Sequence, residues 1–288
     1  MAGHTPIGTM RPFDIRYRNL IREVSTDWRM ENHYHNDCEL IFILEGEIEL
    51  NINQTTYRPG KNSLIFINNM ERHGYKILQY PYKRYVIMLK HDYMQAAVDD
   101  PVLTSVFQHR PEKFNHVMAV PDHAVPAVCS AMGTLFREYK GSKPFRDVNL
   151  KMQLYQLMIA IYRVSDKQFP MAQVNSTTNQ LIASIQSHVE THYMEELSLK
   201  DVSRMFYTDM YYLCHLFKEV TGYTFKSYLI MHRISKAKDM LAYTDDDITQ
   251  VGLNCGFNNV NHFIRTFKKM LGITPYQYRK KHKETSTL

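Results

Sequence analysis

Residues 217–229 read FKEVTGYTFKSYL, and residues 267–279 read FKKMLGITPYQYR. Phe, Lys, Gly, Thr and Tyr return in register after fifty positions. A fixed internal offset limits a chain to architectures that contain the same small unit twice. Each copy places Lys before a glycine that can stop a helix by taking positive φ. Each then leads into the start of a further helix.

The segments ahead of the two glycines are amphipathic at helical period. In residues 258–271, Val260, Phe263, Phe267, Met270 and Leu271 fall on one side. Asn258, Asn261, His262, Arg265, Lys268 and Lys269 fall on the other. In residues 209–222, Met210, Leu213, Leu216, Phe217 and Val220 make the apolar side, opposite Tyr211, Cys214, His215 and Lys218. Asp209 and Asn258 are the expected N-caps. The offset between these caps is 49, so the spacing predicts a slip between cap and first core residue. A shorter amphipathic stretch precedes each segment, LSLKDVSRMFYT and DDITQVGLNCGF, which gives helix, tight turn, helix twice over. The polar sides carry groups that suit base edges and phosphate: Asn for adenine, the Arg fork for guanine, Lys for the backbone. A solvated surface face explains any one such helix, but it explains an echoing pair poorly.

Residues 179–281 resemble the C-terminal DNA-binding domain of AraC-type (AraC/XylS) transcription regulators. GFNNVNHFIRTFKKMLGITPYQYR is similar to the family signature nearly throughout, and Arg233, Ala237 and Leu241 match its R…A…L spacing. Ser203 and Gly252 stand where the family has a small alanine, and Gly252 should weaken its helix by about 0.8–1 kcal/mol relative to Ala. The resemblance implies two helix-turn-helix units joined by a long helix over about 225–242. Their reading helices would enter successive major grooves of double-stranded DNA about 34 Å apart. It implies base contacts from Tyr211, Cys214, His215, Asn261, His262 and Arg265, and phosphate contacts from Lys218, Lys268 and Lys269. The basic run Arg279–Lys283 is a further place for backbone contact.

The first ninety residues have a different texture. ELIFILEG, IELNI, SLIFI and KRYVIMLK are short, β-branched or aromatic, and divided by turn residues, as in an antiparallel sandwich or barrel. HYHNDCELIFILEG places His33, His35 and Glu39 at even spacing, on one face if the run is a strand. Gly46 closes the turn, and His73 ends SLIFINNMERH. Three histidines and a carboxylate could hold a divalent metal, line a ligand pocket, or form a structural hydrogen-bond cluster. The spacing HxH-x3-E-x6-G with a distant His resembles the cupin motifs of β jelly rolls, although Asn68, Asn69 and Met70 replace the usual PxG. Trp28, Tyr57 and Tyr75 are nearby aromatics that could stack on a sugar ring. Leu40, Phe42 and Leu44 make the opposite face apolar too, so that face needs cover. The helices expected at 123–139 and 147–163 are the cover available.

The expected fold class is therefore α+β: a cupin-like jelly-roll barrel (1–115), two helices (116–163), a polar linker (164–178), and an all-α domain with two helix-turn-helix motifs (179–288). AraC-type regulators often have this plan, which implies an effector pocket in the barrel, a homodimer built through the two helices, and RNA polymerase as a partner. No cofactor is expected beyond a divalent metal as the lesser possibility. Sugar utilisation is the commonest theme of this layout, so a sugar is the expected effector. The alternative is a cupin metalloenzyme or metal-sensing regulator using His33, His35, Glu39 and His73.

Bulk properties fit either reading. The net charge of +6 is not concentrated in one half, so it gives little hint of nucleic acid by itself. The four cysteines (Cys38, Cys129, Cys214, Cys255) form no CxxC pair, which points away from zinc ribbons and disulfide frameworks. No signal-peptide pattern or apolar run of about 18 residues is present. These features lead to the expectation of a cytoplasmic, non-membrane protein, and the DNA-binding resemblance of nearly half the chain leads to the expectation that it is not an enzyme.

Overall fold

The computed structural model describes residues 13–20, 29–33, 35, 37–107, 110, 114–165 and 177–285. The chain divides into two compact units between Gln180 and Leu181.

The first unit is built on an antiparallel sheet of seven strands: β1 (Phe13–Leu20), β2 (Arg29–His33), β3 (Asp37–Ile52), β4 (Thr55–Tyr57), β5 (Ser63–Ile67), β6 (His73–Lys90) and β7 (Val117–Ala119). Its main path runs β1-β6-β3-β5-β7, with β2 also on β6 and β4 on β3. The long strands β3 and β6 pair along nearly their whole length, and their register shifts between Ile43 and Ile48. Gly46 lies at this break with φ +89°, where an added Cβ would sit 2.6 Å from the Gln79 carbonyl oxygen. Bulges bend a ladder. As a result Ile41 and Ile43, before the break, pack in one cluster with Ile48, Leu50 and Ile52 beyond it, joined by Ile65, Ile67, Tyr75, Ile77, Tyr82 and Val86.

The other face of the sheet carries Leu40, Phe42, Leu64, Phe66, Ile87 and Leu89, all buried. Its cover is α3 (Val125–Lys140) and α4 (Arg146–Val164), through Val128, Met132, Leu135, Leu150, Leu154, Leu157 and Ile161. The short helices α1 (His91–Ala97) and α2 (Pro101–Thr104), which sequence periodicity did not reveal, add Met94 and Leu103 to the same core. A strand buried on both faces shows no alternation, and for that reason ELIFIL is a continuous apolar run.

Residues 166–176 of the expected linker lie outside the described residues. The second unit is helical: α5 (Thr177–His192), α6 (Leu199–Met205), α7 (Met210–Thr221), α8 (Phe225–Tyr243), α9 (Ile248–Asn254), α10 (Val260–Leu271) and α11 (Pro275–Thr285). The central α8 is about 28 Å long at 1.5 Å per residue. It buries Tyr228, Leu229, His232, Ile234, Ala237 and Leu241 around much of its circumference. Arg233 donates from Nε to the Tyr193 carbonyl at 2.8 Å and from Nη2 to the Glu195 carbonyl at 2.7 Å, tying the chain after α5 to α8.

Two corrections to the sequence reading come from the repeat. The N-cap of α10 is Asn259, whose side chain accepts from the His262 amide at 3.0 Å, and not Asn258. Asp209 caps α7 in the same way, on the Tyr212 amide at 2.9 Å. The reading helices therefore match at an offset of 50 from cap to glycine. The slip lies earlier, in the turn. Thr208 N–H bonds the Ser203 carbonyl, and Phe257 N–H bonds the Gly252 carbonyl, at an offset of 49. The second turn then has one residue more before its cap. The other correction is Met210, expected on the apolar side but 49% exposed at the start of α7.

Candidate functional site

Both reading helices present the expected faces. Leu213, Leu216 and Phe217 of α7 are buried, as are Phe263 and Phe267 of α10. Tyr211, Cys214, His215 and Lys218 are exposed on α7, and Asn261, His262, Arg265, Lys268 and Lys269 on α10. Gly222 and Gly272 end the two helices at φ +77° and +78°, each with open space where a Cβ would be. Backbone conformation, not crowding, selects glycine there. Thr224 and Thr274 each accept the amide three residues on and so cap α8 and α11. On α7 the rings of Tyr211 and His215 lie 4.5 Å apart. Tyr212 is also exposed, an aromatic on the same helix that sequence reasoning left out. A cleft of about 400 Å³ beside the start of α10 is lined by Arg233, Asn258, Asn259, His262 and Arg265.

Small residues let the paired helices approach. An added Cβ at Gly252 would lie 2.9 Å from the Phe263 ring, so this glycine is where α9 receives the core of α10. Ser203, its counterpart, is buried, and its hydroxyl is absorbed by the Lys200 carbonyl at 2.9 Å.

The β domain brings its four expected residues together, although not from one strand. His33 ends β2, His35 lies between strands, Glu39 is in β3 and His73 opens β6. The Glu39 carboxylate Oε2 is 3.1 Å from His35 Nε2 and 3.3 Å from His73 Nε2. The ligand nitrogens of His33, His35 and His73 all lie within 4.8 Å of one another. His73 donates from Nδ1 to the Glu71 carbonyl at 2.9 Å, which leaves Nε2 facing Glu39. Burial opposes charge on both Glu39 and His73, but their pairing outweighs it. The hydrogen bond with His35 and the His73 imidazole 3.3 Å away hold Glu39 well below the usual carboxylate range, and Glu39 raises His73 above the ordinary imidazole value.

Two further polar groups line this domain. Glu71 accepts from Arg110 Nη1 at 2.7 Å and from the Asn68 amide at 2.6 Å, and its Oε1 is 3.1 Å from His116 Nε2. Burial would raise Glu71, yet Arg110 and His116 hold it far below the carboxylate range. Tyr57 bonds His116 Nδ1 at 3.0 Å, and Tyr75 accepts from Arg84 Nη2 at 2.5 Å. Tyr75 is buried in the domain's core, and Tyr57 is half-buried. Trp28 lies outside the described residues.

Two matches account for most of the chain. Residues 19–158 match the AraC-like ligand binding domain, and residues 202–281 match a helix-turn-helix domain. The chain belongs to the AraC-type transcription regulators. Among its relatives, the HTH-type transcriptional regulator YdiP of Escherichia coli K12 is 23% identical over 89% of this chain and 83% of its own length. The HTH-type transcriptional activator RhaS of Escherichia fergusonii is 23% identical over 86% of each chain. Among solved structures, a single-substitution variant of ToxT from Vibrio cholerae, in its apo form, superposes with a TM-score of 0.62 at 14% identity, covering 93% of this chain and 97% of that one. Wild-type ToxT bound to an unsaturated fatty acid superposes at 0.59 with 13% identity, covering 93% of this chain and 94% of that one. These likenesses support the fold: an antiparallel β domain followed by a helical helix-turn-helix domain. No described helix is long and apolar enough to cross a membrane.

In an AraC-type chain the thiol on α7 gives a direct check of the reading face. Cys214 is exposed, whereas burial pushes the Cys255 thiol up to about 12, so Cys255 stays protonated and inert at neutral pH. Iodoacetamide is expected to modify Cys214 and spare Cys255, and specific DNA is expected to slow the Cys214 reaction by about tenfold or more. Equal rates with and without DNA, read by mass spectrometry, would remove Cys214 from the interface.

Proposed function

We propose that this chain reads double-stranded DNA through α7 and α10 and takes a small-molecule effector in the interior of its β domain, with His33, His35, Glu39 and His73 among the binding groups. The observation that carries this reading is the matched pair of exposed reading faces, in register from cap to glycine, with Asn261 and Arg265 on one and Tyr211 and His215 on the other. The effector changes DNA occupancy only by favouring one of two states of the protein. RNA polymerase is the partner through which occupancy becomes transcription. A DNase footprint upstream of the adjacent genes should show protected patches about one helical turn apart. A uniform, salt-labile smear with no protected site would exclude sequence-specific reading.

A second copy of the chain is the partner for α4. Phe145, Val148 and Met152 are 83%, 57% and 56% exposed at spacings of three and four, a stripe left outside the core of the single chain. Met152→Asp is expected to weaken dimerisation by about tenfold or more, in line with about 1.5–3 kcal/mol for a buried apolar side chain. Light scattering that showed the same dimer mass at low concentration would place the contact elsewhere.

A divalent metal is a second occupant of the histidine cluster, favoured by the convergence of three imidazole nitrogens within 4.8 Å. The set fits such an ion: His73 already donates its far nitrogen to a backbone carbonyl, as metal-bound histidines do, and Glu39 supplies an oxygen between His35 and His73. His33, His35, Glu39 and His73 would hold the ion, which would supply a Lewis-acidic centre for an effector oxygen. Stoichiometric zinc, manganese or iron in the purified protein, lost in Glu39→Gln, would establish this reading.

A further inference from the structure

Arg84 sits where a charge is costly. It lies in β6 opposite Ile43 of β3, on the same face as Val86 and Met88, and only 7% of it is exposed. Its pairing partner Ile43 and its same-face strand neighbours Tyr82 and Val86 belong to the inner cluster, which also holds Ile41, Leu50 and Tyr75. Nη2 donates to the Tyr75 hydroxyl at 2.5 Å, and Nη1 reaches the Tyr82 hydroxyl at 3.4 Å. The guanidinium carbon stands 4.6 Å from the Tyr75 ring centre and 5.4 Å from that of Tyr82. Nε is buried without a partner among the described residues.

No described carboxylate forms an ion pair with Arg84. Glu39 acts on it only through space and is already held by His35 and His73. Burial raises the Tyr75 and Tyr82 phenols above their ordinary values, so both stay neutral and supply no counter-charge. Buried arginines are ordinarily paired, because an isolated interior charge costs several kcal/mol. The planar edge formed by Nε and Nη2 is the fork that fits two carboxylate oxygens. Tyr75 occupies one of those positions, and no described residue occupies the other.

We propose that Arg84, with the hydroxyls of Tyr75 and Tyr82, anchors a carboxylate of the effector. This rests on the ligand-binding reading above and gives the ligand its chemical class: an organic acid whose remaining bulk packs among the isoleucines of the inner cluster. A fatty acid and a sugar acid share that group, and the neutral counterpart of each isolates it.

The test uses the full-length protein in thermal denaturation with two pairs of probes: palmitoleate with palmitoleyl alcohol, and galacturonate with galactose. One acid is expected to raise the midpoint by about 5–10 °C at a hundredfold excess over its Kd, with no response to its neutral partner. Arg84→Met should erase that difference, and Tyr75→Phe should reduce it. Without ligand, Arg84→Met should melt no lower than the parent, because an apolar chain of similar length replaces an unpaired charge. A midpoint about 10 °C lower without ligand would make Arg84 a structural pin and overturn the proposal. If a neutral probe shifts parent and Arg84→Met alike, the carboxylate assignment falls while ligand binding stands. If no probe of either kind shifts the parent, both fall.

Discussion

Gly256→Ala is expected to destabilise the helical domain by about 2–5 kcal/mol, whereas Gly272→Ala loses only about 1–2. Both glycines have positive φ, +80° and +78°. An L-residue held in the left-handed region costs about 1–2 kcal/mol, and that term is common to both. The difference lies in what the new Cβ meets. At Gly272 there is nothing within 4 Å. At Gly256 the Cβ would sit 2.7 Å from the Tyr193 carbonyl oxygen and 2.8 Å from that of Met194, and backbone cannot swing aside as a side-chain tip can. Overpacking of this kind adds about 1–3 kcal/mol. Domains are stable by about 5–15 kcal/mol, so the change removes a large share. Urea unfolding of the two variants measures it, and equal losses would show that the turn after α9 is not seated on the chain after α5 as described.

The first repeat unit explains why only one of the turns is so constrained. Tyr207 occupies the place of Gly256, with φ +51°, and is 98% exposed. The same turn faces solvent in one unit and rests on the 193–194 backbone in the other. Tyr207→Gly would relieve strain in the first unit, while the second already has the only residue that fits.

What could be read from the sequence follows the range of the interactions. Helical period alone puts Phe263, Phe267, Leu213 and Phe217 inside and the nine residues expected to contact DNA outside, because amphipathicity is local. The cap of α10 is ambiguous at that level, since Asn258 and Asn259 have the same capping chemistry. The repeat offset of 50 would have chosen Asn259, opposite Asp209. His33, His35, Glu39 and His73 are legible from a spacing motif, even though separate segments deliver them. The contacts of Glu71 with Arg110 and His116 join residues 39 and 45 positions apart, and no local pattern reports them. Arg84 lies between these cases. In KRYVIMLK it shares its phase with Val86 and Met88, but both faces of that strand are apolar, so alternation gives no sign of which way the charge points.

Arg265→Ala is expected to weaken specific DNA binding by about 1–3 kcal/mol, or roughly 5- to 150-fold, if its guanidinium pairs with guanine. Arg265 is exposed on α10, with Nε near the Asn261 carbonyl at 3.4 Å, so its contact at present is weak and intrahelical. A side chain with so little to lose can turn to a base edge at small cost. Loss of binding alone would not separate a base contact from a phosphate contact, since both remove a charge. Base preference and salt dependence do separate them. Arg265→Ala should flatten the preference at one operator position. Lys268→Ala should leave every preference intact and reduce the salt slope of log K by about 0.9. Competition binding against operators substituted one position at a time, repeated across salt concentrations, reads both quantities. Should Arg265→Ala lower all sequences equally and shift the slope as Lys268→Ala does, Arg265 is a phosphate contact. Base reading by the second unit would then rest on Asn261 and His262, its other exposed residues on the first turn of α10.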